Sequence, residues 1–182
     1  MNPITLAASG TEHAHQTAFF AWANMAAYNG FIAACDMASY EVKGYAAKRM
    51  QLEGDAPRPE LRLMHAIPNG GKRDGVTAAR LKAEGVKAGV LDVFLPHPEA
   101  YLYPMHNGTK VPTKEQGLYM GLYIEFKEPG RKTHKDGGLS ASQIEFMEAV
   151  REQGYCCRVA YTWQEAANLI LAYYRIDMRV KV

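Results

Sequence analysis

Two carboxylates and one lysine stand where a pair of apolar strands would bring them together. Asp92 lies between Val90-Leu91 and Val93-Phe94-Leu95, and Glu125-Phe126-Lys127 closes the apolar run Tyr119–Lys127. Residues two apart on a strand share a face, so Glu125 and Lys127 set a carboxylate beside an ammonium. If the two runs pair as a hairpin with a long loop, Asp92 lies next to Glu125. Such a pair of carboxylates repels itself unless a cation sits between them, and hard oxygen ligands suit Mg²⁺ or Mn²⁺. An ion of that kind lowers the pKa of a bound water and offsets charge on a phosphorane-like transition state. Lys127 could orient that water or stabilise the oxyanion, and the set fits hydrolysis of a phosphodiester. The apolar flanks favour this over a surface role, because a buried carboxylate without a partner is costly, whereas an exposed cross-strand ion pair contributes little.

Two basic clusters could hold a phosphate backbone. Asn69-Gly70-Gly71 reads as a turn whose glycines tolerate positive φ, and it could also let a phosphate approach exposed backbone N–H groups. Behind it, Lys72, Arg73, Arg80, Lys82 and Lys87 face only Asp74 and Glu84, a local excess of +3. Arg131, Lys132 and Lys135 follow Lys127. Contacts of this type position DNA without reading its sequence.

Other chemistries find no support. The six histidines are scattered without metal spacing, and His13 and His15, two apart on an expected helix, read as surface groups. Cys35, Cys156 and Cys157 form no CxxC and no closed disulfide set. There is neither a P-loop nor a Ser-His-Asp signature. The chain of 182 residues carries 21 Lys and Arg against 19 Asp and Glu, a net +2, so any basic surface is a patch and not a coat. Its 48% hydrophobic content excludes a disordered chain and allows one sizeable core.

The elements that must position these groups follow from apolar period. Glu12 to about Ala34 reads as a long helix capped by Ser9 or Thr11. No residue between Gln16 and Asp36 is charged, yet Asn24, Asn29 and Gly30 interrupt the apolar run. We expect an Ala-rich helix packed on protein, not a membrane span, and Met1–Gln16 lacks the basic residues of a secretory signal. A second helix is expected over Tyr40–Leu52, a strand over Leu61–Ile67, a short helix over Gly75–Gly85, and strands over Val90–Leu95 and Tyr119–Lys127. Between the last two, Pro96–Gln116 reads as a surface excursion. Ser140-Ala-Ser-Gln143 and Thr162-Trp-Gln-Glu165 both match a capping box. They open helices ending near Gly154 and Tyr174, with a strand over Tyr155–Tyr161 between them. The order implies an α/β layered domain.

Asp92 with Glu125-Phe126-Lys127 resembles the PD-(D/E)XK nuclease pattern. Glu12-His-Ala-His-Gln16, Ile67-Pro-Asn-Gly-Gly71, Leu81-Lys-Ala-Glu-Gly85, Gly89-Val-Leu-Asp92, Tyr123-Ile-Glu-Phe-Lys127 and Ser140-Ala-Ser-Gln143 occur in one order. Together they resemble the VRR-NUC family, the virus-type replication-repair nuclease domain. The resemblance implies a single domain over residues 1–182 with a core of about 11–174 and an insertion of about 96–118. Its fold would be an αβββαβ-type core, a central mixed sheet flanked by helices, behind a long N-terminal helical region. Asp92, Glu125 and the main-chain carbonyl of Phe126 would hold Mg²⁺ or Mn²⁺, and Glu12 would face the site directly or through water. Lys127 would be the catalytic lysine, and Gln143 would follow the catalytic strands. Two positions depart from the family: Leu91 stands where Pro usually precedes the aspartate, and Phe126 replaces the commoner aliphatic residue.

The implied activity is metal-dependent DNA endonuclease cleavage leaving a 5′ phosphate. Stand-alone domains of this size resemble phage-type, structure-selective enzymes that act on branched DNA such as four-way junctions, often as homodimers in the host cytoplasm. The alternatives are a less selective nuclease or nickase on flaps or duplex, and a DNA-binding module of the same fold without cleavage.

Overall fold

The computed structural model describes residues 2–36, 40–42, 56–68, 75–101, 105–106, 109–110 and 117–181. A short helix α1 (Pro3–Leu6) precedes the long α2 (Glu12–Asp36), which starts where the Thr11 hydroxyl accepts the Ala14 N–H at 3.2 Å. The uncharged stretch is accounted for by burial: Ala18, Phe19, Trp22, Ala23, Ala26, Ala27 and Phe31 all lie in the core. Gly30, at φ 89° and ψ 171°, interrupts the helix. Among the described residues no helix is long and apolar enough to cross a membrane.

Strand β1 (Tyr40–Val42) replaces the start of the helix expected over Tyr40–Leu52, and the rest of that span beyond Val42 lies outside the described residues. It pairs antiparallel with the last strand of the chain, β10 (Met178–Val180), a long-range pairing that overrides the local apolar period. The strand expected over Leu61–Ile67 is only β2 (His65–Ala66), because Pro59–Leu63 winds into a 3₁₀ turn that buries Leu61. Proline near the start of the turn fixes the φ that a helical turn requires.

Helix α3 (Gly75–Ala83) is followed by β3 (Val93–Leu95). The excursion then proves to be two antiparallel ladders, one nested in the other. The outer ladder joins β4 (Glu99–Tyr101) to β7 (Gly117–Tyr119), and the inner joins β5 (Met105–His106) to β6 (Thr109–Lys110). The chain continues through β8 (Leu122–Phe126), α4 (Ala141–Glu152), β9 (Cys156–Ala160) and α5 (Trp163–Tyr173).

The central sheet has the order β2-β3-β8-β9, antiparallel up to β8 and parallel between β8 and β9. Period-two alternation gives it two faces. Val93, Leu95, Leu122, Ile124 and Phe126 join α2 and α5 in the larger core, with Trp22 and Trp163 fully buried. On the other face Leu91, Cys157 and Met147 form a smaller core beneath α4, with Tyr123, Phe146 and Val159 packed around it. The result is a three-layer α/β arrangement. In the β3–β8 register Val93 faces Ile124, which brings Asp92, one residue before β3, toward Glu125.

Gly89 fixes the approach of this strand to α4. It adopts φ +84°, and a Cβ there would lie 2.1 Å from the Ser142 carbonyl oxygen. Side chains avoid that backbone region, and the obstacle is main chain that cannot swing aside. Gly130 has nothing within 4 Å of the corresponding position. Thermal unfolding should therefore show Gly89→Ala destabilised by more than about 2 kcal/mol, with Gly130→Ala within about 0.5 kcal/mol of wild type.

Candidate active site

Asp92 is anchored at both ends. Its carbonyl accepts the Ile67 N–H at 2.7 Å, and its carboxylate Oδ2 accepts the Phe126 N–H at 2.8 Å. Glu125, on the neighbouring central strand, is 1% exposed. Its Oε1 takes two donors: the Lys127 ammonium at 2.5 Å and the side-chain amide N–H of Gln143. Its Oε2 is buried and has no hydrogen-bond partner among the described residues.

Gln143 can serve Glu125 because its other end is occupied. The expected capping box is present: Ser140 Oγ accepts the Gln143 N–H at 3.3 Å, and the Gln143 amide oxygen accepts the Ser140 N–H at 2.9 Å. With the oxygen held at the helix terminus, only the NH₂ group is left to face the carboxylate. One side chain thus caps α4 and orients Glu125. The second expected box is half formed. Thr162 Oγ1 accepts the Glu165 N–H at 3.1 Å, but Glu165 turns to the Tyr161 N–H (2.9 Å) and the Lys132 ammonium (2.6 Å) instead of the cap backbone.

Electrostatics follow from burial. Desolvation pushes Glu125 up to about 7, Asp92 adds to the rise, and Lys127 opposes it. Burial also raises Asp92, against the Phe126 N–H and Lys127. Glu12, in the first turn of α2, is raised by burial, lowered by Lys127 and Arg131, and raised again by Asp92 and Glu128. Three carboxylates from three elements therefore share the field of one partly buried ammonium, that of Lys127. The donor set is oxygen only, with one buried carboxylate oxygen bare, and it fits a hard divalent cation. Among the described residues no three His, Cys, Asp or Glu side chains converge as a metal cluster. Glu12 therefore does not join Asp92 and Glu125 in such a cluster.

The basic residues are not equivalent. Asn69, Gly70, Gly71, Lys72 and Arg73 lie outside the described residues. Arg80 and Lys82 are exposed on α3, with Arg80 3.4 Å from Glu84. Arg131 lies in the 3₁₀ turn Pro129–Thr133 just after Lys127, its stem over Gly138, and pairs at 3.8 Å with exposed Glu128. The Lys132 ammonium is already committed to Glu165 and sits 5.6 Å from the Tyr161 ring centre.

His15 is not a surface group. It is 8% exposed, and its Nδ1 accepts the Trp163 N–H at 3.3 Å, tying the start of α2, where Glu12 sits, to the start of α5. Burial lowers its pKa against the pull of Glu165, so the acceptor lone pair stays available. Tyr161 was also missed: its hydroxyl donates to the Gly137 carbonyl at 3.0 Å and pins the loop that follows Lys127.

No protein-family model matches the chain, and no curated protein matches it. A solved structure described as "VRR_NUC domain protein" is similar, with a TM-score of 0.52 and 21% sequence identity over 91% of this chain and 89% of that chain. At that identity the likeness establishes a shared fold.

The raised Glu125 pKa fixes the sign of a pH effect. A carboxyl whose folded pKa lies above its unfolded value contributes stability that is complete below the unfolded pKa and is lost as pH rises through the folded one. In EDTA, Glu125 should therefore destabilise the protein progressively from about pH 4.5 to about 7. His15 works in the opposite sense, losing its contribution as pH falls, so the informative quantity is a difference. Glu125→Gln should gain melting temperature relative to wild type as pH rises across that window. A constant difference would show that Glu125 ionises freely.

Proposed function

We propose that this chain is a nuclease domain of the VRR-NUC type on a PD-(D/E)XK core, hydrolysing DNA phosphodiester bonds with Mg²⁺ or Mn²⁺. The bare, buried Oε2 of Glu125 beside the Asp92 carboxylate carries this reading, because a folded protein leaves such an atom unpartnered only at a cost that a cation removes. The likeness of fold to a VRR_NUC domain protein supports it independently. Asp92, Glu125 and the Phe126 carbonyl would hold the ion, with Glu12 acting through water. Bound there, it would supply an activated water and neutralise charge on the scissile phosphate.

The chain's own groups have distinct tasks. Lys127 and Gln143 both load Glu125 Oε1, so Oε2 is the oxygen left to the site. The Phe126 N–H fixes Asp92 in turn. Lys127, charged and only partly exposed, can donate to a water poised for attack or to a phosphate oxygen as negative charge grows. Arg131, whose field reaches Glu12, would hold a backbone phosphate. Lys132 is a weaker candidate because Glu165 already satisfies it.

We further propose one domain with a core of about 11–174, cleavage leaving a 5′ phosphate, and preference for branched DNA. A homodimer rests on the family resemblance alone, since α2 spends its apolar residues in its own core.

Labelled four-way junction and matched linear duplex, each incubated with Mg²⁺, Mn²⁺ or EDTA, test this reading. Junction cutting should need metal, and Asp92→Ala and Lys127→Ala should each lower it by about 100-fold or more while remaining folded. Equal cutting of both substrates would keep the site and discard junction selectivity. Metal-dependent cutting that survives Asp92→Ala would overturn the assignment.

A further inference from the structure

The face of the sheet that carries the acidic pair turns aromatic one pleat away. Phe94 pairs with Tyr123 across β3 and β8, each two residues along its strand from Asp92 and Glu125. At about 3.3 Å per residue, the ring pair begins roughly 7 Å from the carboxylates. The Phe94 and Tyr123 rings stack at 4.4 Å and 21°. Tyr155 meets both, at 5.9 and 5.6 Å, and exposed His65 stands perpendicular to Phe94 at 5.8 Å.

This row is not simply core. Phe146 of α4 packs edge-on against Tyr123, but Phe94 and Tyr155 belong to neither buried cluster and are only partly buried. The place of the Phe94 ring is built into the backbone: a Cβ at Gly121 would lie 2.8 Å from its Cε2. On the far side of the carboxylates, two residues on from Glu125, lies Lys127, and Arg131 follows in the next turn of the chain. One face thus presents, in order, a cation, an acidic pair and flat apolar rings. A nucleotide offers the complement: an anionic phosphate and, one unit along, a flat base.

We propose that Phe94, Tyr123 and Tyr155 form a stacking platform for an unpaired nucleobase next to the phosphate at the acidic pair. This deepens the nuclease reading and rests on it, and it makes the substrate a strand with a single-stranded or frayed nucleotide beside the cut. A base paired within a duplex has both faces covered by its neighbours, so the platform rewards only an unstacked one.

The test is binding in EDTA, where cleavage plays no part. Duplexes carrying 2-aminopurine in a short single-stranded overhang, of either polarity, are compared with the blunt duplex. Wild type should bind an overhang about tenfold more tightly than the blunt end and quench its 2-aminopurine. Phe94→Leu and Tyr155→Leu, which keep apolar volume without a ring, should lose that preference while holding blunt-duplex affinity and fold. Equal binding of overhang and blunt ends by wild type, or a preference and quench retained in Phe94→Leu, would overturn the platform. Cleavage measured separately in Mg²⁺ tells the two proposals apart. Cutting without a quench removes the platform and leaves the nuclease. A ring-dependent quench without cutting upholds base binding and overturns the nuclease reading.

Discussion

The structure turns on one carboxylate buried in the middle of a sheet. Glu125 has an oxygen loaded by two donors and, among the described residues, an oxygen with none. Burying an ionisable group in this state is costly, which is why its pKa is displaced to about 7. The half that is satisfied draws on a strand neighbour two residues away and on the first turn of α4. The carboxylate as a whole lies in the field of Asp92, itself held by a backbone N–H of the strand that carries Glu125. Three elements converge on one side chain and leave a defined deficit of positive charge.

The layers divide the work between the two faces of the sheet. One face is closed by α2 and α5 around Trp22, Phe126 and Trp163, and it supplies the packing that holds β8 in a central position. The other is covered by α4 over only part of its extent, so polar groups and partly buried rings can persist there. His15 locks the first face: in accepting the Trp163 N–H it fixes the start of α2 against α5, and with it the placement of Glu12. Gly89 plays the corresponding part for α4, because the turn leading to Asp92 touches Ser142 main chain where any side chain would collide.

Much of this was legible in the sequence, and the gaps have physical causes. Alternation placed Glu125 and Lys127 on one face, and apolar flanks marked Asp92 as more than a turn residue. The spacing of Ser140 and Gln143 announced the cap, but that the same amide would reach Glu125 is a tertiary fact. His13 and His15, two apart, read as surface groups, yet His15, Phe19, Trp22 and Ala26 follow the stripe that α2 buries, a signal in plain view. Strand β1 was hidden because its partner lies at the opposite end of the chain, where local period carries no information. The nested ladders between β3 and β8 are two or three residues per strand, too short for alternation to declare itself.

Calorimetric titration of Mn²⁺ into protein freed of divalent ions, near pH 8, tests the central claim directly. The account predicts saturable binding that Asp92→Asn and Glu125→Gln each abolish while their circular dichroism matches wild type. Absence of binding to wild type, or undiminished binding to either variant, would contradict it.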